Sequence, residues 1–195
     1  GDWVKERTAR WSLLRPGEEV GPPALPLPPV LLHLLTAAAI GAIIIAGFSL
    51  AAFWLVPNHD NDWYLIAARR LLSGGRYVHD FMEPNPPLIL LLLLPPVWVD
   101  GITGWDRYVV FSAYVSLLIA LCLILTRPAL RWLLADRPSI LAPLLIGLAA
   151  LLCLFTGYDF GQREHLFVIM FLPGLCWFAA REAGRPSKLD SIGVI

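Results

Sequence analysis

Proton-transfer chemistry is concentrated in two short stretches. In "PNHDNDWYLIAARRLLSGGRYVHD", residues 57–80, His59, Asp60 and Asp62 follow directly on an apolar run that holds hardly a charge. A carboxylate within reach of a hydroxyl can act as a general base, and Asp60 and Asp62 are the two carboxylates of this motif. Carboxylates and imidazole can also hold a divalent cation, although "HDND" matches no specific metal spacing. The plain alternative is capping, since Asp at a helix start accepts orphan N–H bonds and complements the helix dipole. Both readings stay open at this stage. His59 and His79 read as interfacial or hydrogen-bonded structural histidines, and His33 as interfacial.

The second stretch is "YDFGQREHL". Asp159, Gln162, Arg163, Glu164 and His165 crowd a connection between two apolar runs. A polar turn with one ion pair needs fewer charged groups than this. Arg at an interface is well suited to holding phosphate, so Arg163 is the candidate for a phosphate-bearing ligand. Between the two stretches, 62–73 reads as an amphipathic helix stopped by Gly74 and Gly75. Its Asp62, Ile66 and Arg69 share one face, and Trp63 and Tyr64 suit a membrane interface. Arg76, His79, Asp80 and Glu83 follow.

The elements that must position these groups are hydrophobic. The chain has 195 residues, 57% of them hydrophobic and 15% charged, with a mean hydropathy of +0.67. Soluble domains carry about 25% charged residues, so the class is all-α integral membrane. Formal net charge is zero, which leaves no basic field for nucleic acid. Cys122, Cys153 and Cys176 lie singly in apolar runs and read as small buried hydrophobes.

A crossing helix needs about 20 apolar residues. That predicts spans over 31–56, 108–126, 139–157 and 165–180, with a fifth beginning at 191–195. Residues 1–30 read as a Pro-rich cytoplasmic tail, and 31–195 as the amino-terminal part of a longer transmembrane domain that is expected to be inactive alone. Residues 86–99 ("PPLILLLLLPPVWV") pose the hard case. The seven residues between the Pro pairs would make a helix of roughly 10 Å, about a third of a bilayer core, and Pro95 and Pro96 interrupt anything longer. If 86–99 lies in the interface, every short basic loop falls on one side, as the positive-inside bias expects. Those loops hold Arg127, Arg131 and Arg137, and then Arg181, Arg185 and Lys188. This topology makes 57–107 one outer loop and puts "HDND" and "YDFGQREH" on the same face.

An apolar span ending in an acidic motif, then Tyr64, Ala68-Arg69, Gly75-Arg76-Tyr77 and Pro86-Pro87-Leu88, resembles the first outer loop of GT-C membrane glycosyltransferases. The nearest likeness is to the bacterial branch of dolichyl-phosphate-mannose-type and lipid A aminoarabinose-type transferases. Asn61 stands where a second acid is frequent, and Asn85 where many relatives carry a substrate-contacting Lys. The resemblance implies a sugar moved from a polyprenyl-phosphate-linked donor to an envelope acceptor, at the outer face of the bacterial inner membrane. It implies Asp60 or Asp62 as base and substrate contacts from Tyr64, Arg69, Arg76, Asp159, Arg163, Glu164 and His165. A divalent metal is optional in such enzymes. The rival readings are a lipid-linked sugar transporter and a non-catalytic membrane scaffold. A transporter should bury ionisable groups deep in its spans, and these spans hold almost none.

Overall fold

A computed structural model describes residues 28–82 and 87–184. The predicted amino-terminal tail, the start of a fifth span, and Glu83, Asn85 and Pro86 lie outside or almost wholly outside the described residues. Those residues contain seven α-helices and no strand. They are α1 (Pro29–Phe53), α2 (His59–Leu72), α3 (Leu88–Leu92), α4 (Leu94–Thr103), α5 (Arg107–Leu133), α6 (Leu141–Cys153) and α7 (Arg163–Glu182). Short 3₁₀ turns at Pro138–Ile140 and Gly157–Asp159 precede α6 and α7. An isolated bridge joins Tyr77 and Phe81.

Helices α1, α5 and α7 are long and apolar enough to cross a membrane. Their surfaces carry the same message. On α5 the buried stripe is Phe111, Val115, Ile119 and Cys122, while the opposite stripe of Leu117, Leu121 and Ile124 is exposed and equally apolar. Exposed Phe167, Phe171 and Phe178 do the same on α7. A helix apolar all round is not built to face water. The predicted span over 139–157 becomes a 13-residue helix after a 3₁₀ turn. At 1.5 Å per residue it is roughly 20 Å long, shorter than a bilayer core of about 30 Å.

The principal packing contact is α5 on α7. Ile119 and Val115 meet Leu166 and Ile169 in one buried cluster. At the far end of the pair, Trp132 and Trp177 meet edge to face at 5.3 Å, and the Trp177 indole donates to the Leu125 carbonyl. Helix α1 approaches α6 closely at Gly47, where a Cβ would come within 2.7 Å of the Cys153 Cβ.

The double-proline segment resolves into two helices broken at Leu93. Pro95 and Pro96 do not end the first helix from inside. They occupy the opening turn of α4, where a missing N–H removes a donor that has no intrahelical acceptor. A continuous helix would give the Leu92 carbonyl the N–H of residue 96, and proline has none. The Tyr114 hydroxyl of α5 supplies the bond instead, at 2.8 Å. Leu90 and Leu93 are fully buried, so this segment packs against the bundle rather than lying loosely upon it.

The chain leaves α1 and enters α5 at one end of the bundle. Asp62, in the first turn of α2, meets Arg107 at the start of α5, and Asn61 beside it meets Phe160 before α7. Residues 54–106 therefore begin and end on the same side. Helix α2 starts at His59, three residues earlier than its predicted start, because Asn58 caps it.

Candidate functional site

The two polar stretches, about a hundred residues apart in sequence, meet side chain to side chain. Four contacts join them. Asn58 Nδ2 donates to Asp159 Oδ1 at 3.5 Å. His59 Nδ1 faces the Tyr158 hydroxyl at 3.2 Å. Gln162 Nε2 donates to Asp60 Oδ2 at 3.3 Å. Asn61 Nδ2 donates to the Phe160 carbonyl at 3.0 Å. Asn58 and Asn61 are buried, whereas His59 is open to solvent.

Local sequence explains how each strand of this junction is held. The Asn58 side chain accepts the Asp60 N–H at 2.9 Å from an extended backbone, the usual N-cap geometry. Capping thus falls to Asn58, and Asp60 is free to turn its carboxylate across the junction. On the other side, Gly161 takes a left-handed backbone with φ of +77°. A Cβ there would collide with the Phe111 ring and crowd Val115, so glycine meets both the conformational and the steric demand. The Gly161 N–H donates to His165 Nδ1 at 2.9 Å, which fixes the proton of a neutral imidazole on Nε2.

Asp60 has both oxygens directed. Oδ2 accepts from Gln162, and Oδ1 lies 3.0 Å from His59 Nε2. His59 therefore bridges Tyr158 and Asp60, a hydrogen-bonded line through which a proton taken by the carboxylate could be shared. Asp62 stands apart from the junction. It accepts from the Tyr108 hydroxyl at 2.9 Å and from Arg107 at 3.3 Å, both on the first turn of α5. That role ties α2 to α5.

The remaining predicted site residues divide by location. Tyr64 is buried in the core face of α2. Arg163 pairs with the neighbouring Glu164 and lies within electrostatic reach of Tyr64 and Asp60. Asp159 is exposed at the junction rim, and His165 is buried beneath the turn with Phe160 beside it. Arg69 pairs with Asp100 of α4, at the opposite end of α2 from Asp60. Arg76 is exposed, and its backbone N–H donates to the Asp80 carboxylate. Asp60, Asp159, Arg163, Glu164 and His165 therefore share one neighbourhood, while Arg69 and Arg76 belong to another.

A small cleft of about 20 Å³ opens at the junction, lined by Asn58, Asn61, Tyr108, Ser112, Tyr158 and Phe160 among others. It is about large enough for one water. The Asn61 side-chain oxygen, buried without a protein partner, is one of its polar groups. Among the described residues no three His, Cys, Asp or Glu side chains converge as a metal-binding set.

Sequence reasoning missed Asn58, Asn61, Tyr158, Arg107 and Tyr108 as contributors. Asn58 was legible, since Asn directly before an amphipathic run is a start signal. The others carry no local mark, because their partners are remote. No protein-family model, curated protein or solved structure matches this chain.

Proposed function

We propose that this chain is the amino-terminal part of an integral membrane glycosyltransferase. It would move a sugar from a polyprenyl-phosphate-linked donor to an envelope acceptor at the outer face of a bacterial inner membrane, with its amino terminus in the cytoplasm. The observation that carries the reading is the meeting of "HDND" with "YDFGQREH" at one end of an apolar bundle. A scaffold has no need of a carboxylate directed by its neighbouring histidine and by a glutamine from a distant loop. A transporter would be expected to hold ionisable groups along its spans.

In this reading Asp60 is the base. Its carboxylate takes the acceptor hydroxyl proton as oxygen attacks the anomeric carbon, and the sugar–phosphate bond breaks with its electron pair on the lipid phosphate. Attack opposite that bond inverts the anomeric centre. Gln162 and His59 position the carboxylate. Arg163 is the cation nearest this base among the candidates and is assigned to the leaving phosphate, where charge develops. Asp62, engaged by Arg107 and Tyr108, is assigned to holding the loop.

The test uses the full-length protein and a labelled polyprenyl-phosphate sugar. Loss of a general base costs about 10² to 10⁴ in rate, so Asp60→Asn should reduce transfer by at least about 10²-fold with unchanged folding. Asp62→Asn should retain most of the turnover. Undiminished transfer by Asp60→Asn would remove Asp60 from the base role.

A further inference from the structure

The far end of α2 carries a second feature, unlike the junction in shape and charge. Arg69, Arg70 and Ser73 from the last turns of α2, Asp80 from the following turn and Arg107 from α5 line an open groove of about 460 Å³, with Ile66 at its apolar side. That volume lies in the range of small-molecule sites. We propose that this groove binds a phosphate ester, and that its source is the headgroup of an anionic membrane lipid.

The arginines are positioned and their donors are incompletely used. Each guanidinium carries five N–H donors in a planar fork. Arg69 gives Nη2 to Asp100, and Arg107 gives Nη1 to Asp62. Those carboxylates fix two forks in place, and the remaining donors are left for a ligand. Arg70 differs from both. Its hydrogen bond, at 3.2 Å, goes to the neutral Asp80 carbonyl, so among the described residues its positive charge has no carboxylate partner. The Asp80 carboxylate is itself occupied by the Arg76 N–H at 2.6 Å. Planar forks on one groove match the oxygens of a phosphate in paired, charge-assisted bonds.

The wall of the groove is shaped for close approach. Gly75 closes α2 with its N–H on the Arg70 carbonyl at 2.8 Å, and a Cβ at Gly75 would lie 2.7 Å from that oxygen. Val78 then takes a φ of +74°, a conformation that a β-branched residue adopts only under constraint. This turn brings Asp80 and its carbonyl back against Arg70. Exposed apolar side chains flank it, with Leu72, Val78 and Met82 standing beside the charged wall. Guanidinium groups beside exposed apolar side chains suit a headgroup with acyl chains attached, which is why the lipid source is preferred to a free phosphate. The inference rests on the apolar helices crossing a membrane, and not on sugar transfer.

The experiment takes the whole chain in phosphatidylcholine vesicles carrying a minor fraction of phosphatidic acid. Retained phosphatidic acid is then counted by native mass spectrometry after extraction. Loss of one charge-assisted bond at an exposed site should make Arg70→Gln lower retention about tenfold. Arg70→Lys, which keeps the charge and loses the fork, should lower it about threefold. Arg131→Gln, at the other end of α5, should leave it unchanged, and circular dichroism should show equal helicity in all variants. Equal retention by Arg70→Gln, or an equal loss in Arg131→Gln, would overturn the proposal. Competition fixes the source. Retention that survives excess inorganic phosphate supports the headgroup, whereas full displacement by inorganic phosphate would overturn the lipid assignment.

Discussion

The two ends of α2 solve opposite problems, the first with amide and carboxylate side chains and the second with guanidinium groups. At its start, Asn58, Asp60 and Asn61 each hydrogen-bond a residue of the 158–162 segment. At its finish, Arg69 and Arg70 stand on an open groove beside Arg107. The first end is largely satisfied within the protein, while the second holds donors in reserve. A single 14-residue helix thus anchors a carboxylate in a directed position and presents cations to whatever lies outside. The difference teaches that charge alone does not mark a site. Its distribution of partners does. Asp62 and Asp60 are two residues apart, yet one is engaged by α5 and the other faces a remote loop.

The contrast can be broken first at Gly161. An added Cβ meets the Phe111 ring and Val115 in a left-handed backbone. Overpacking costs about 1–3 kcal/mol and a disfavoured φ adds about 1 kcal/mol, so Gly161→Ala should destabilise by about 2–4 kcal/mol. Thermal unfolding in detergent measures it, and a melting temperature equal to the parent protein's would refute the packing argument. The same variant should separate the two polar stretches while leaving the arginine groove intact.

Asn61→Ala is expected to have a smaller effect. It removes the bond to the Phe160 carbonyl and leaves that carbonyl buried, at about 1–3 kcal/mol. A distance probe between residues 59 and 158, such as paired spin labels, should report a broadened junction. An unaltered distance distribution would mean that the other three contacts suffice.

The smallest expected change is at the opposite end. Asp100→Asn removes the carboxylate from Arg69, whose side chain is 50% exposed. Half-exposed ion pairs are worth about 0–1 kcal/mol, so unfolding should shift by less than that. Because Asp100 holds the Arg69 fork in place, its loss should lower retention of phosphatidic acid slightly, and raised retention would show that it acts only as a competing charge.

Much of the architecture was legible in particular residues. The apolar runs gave α1, α5 and α7 to within a few residues at most boundaries, and Gly74 and Gly75 marked the end of α2. The third predicted span, over 139–157, is the one whose helix came out short, because an apolar run of 19 residues does not state where its helix begins. Pro138 and Gly157 confine the α-helix to Leu141–Cys153. The double-proline segment was readable as a break, although the break falls at Leu93 and the prolines start the next helix. Asp60 stood out by its place at the end of an apolar run. Nothing near Asn61 or Gln162 signalled that they would face the other stretch.

That the chain is helical and apolar, where most of its helices lie, and which two stretches concentrate the titratable groups all follow from the order of its residues. Hydrophobic runs, proline and glycine act locally, so they can be read locally. The tertiary structure alone decided which of those groups meet. It set Asp60 against Gln162, turned Asp62 to α5, and left Arg70 on an open wall. Such pairings depend on helix packing and on a glycine turn about a hundred residues away, and no local pattern encodes them.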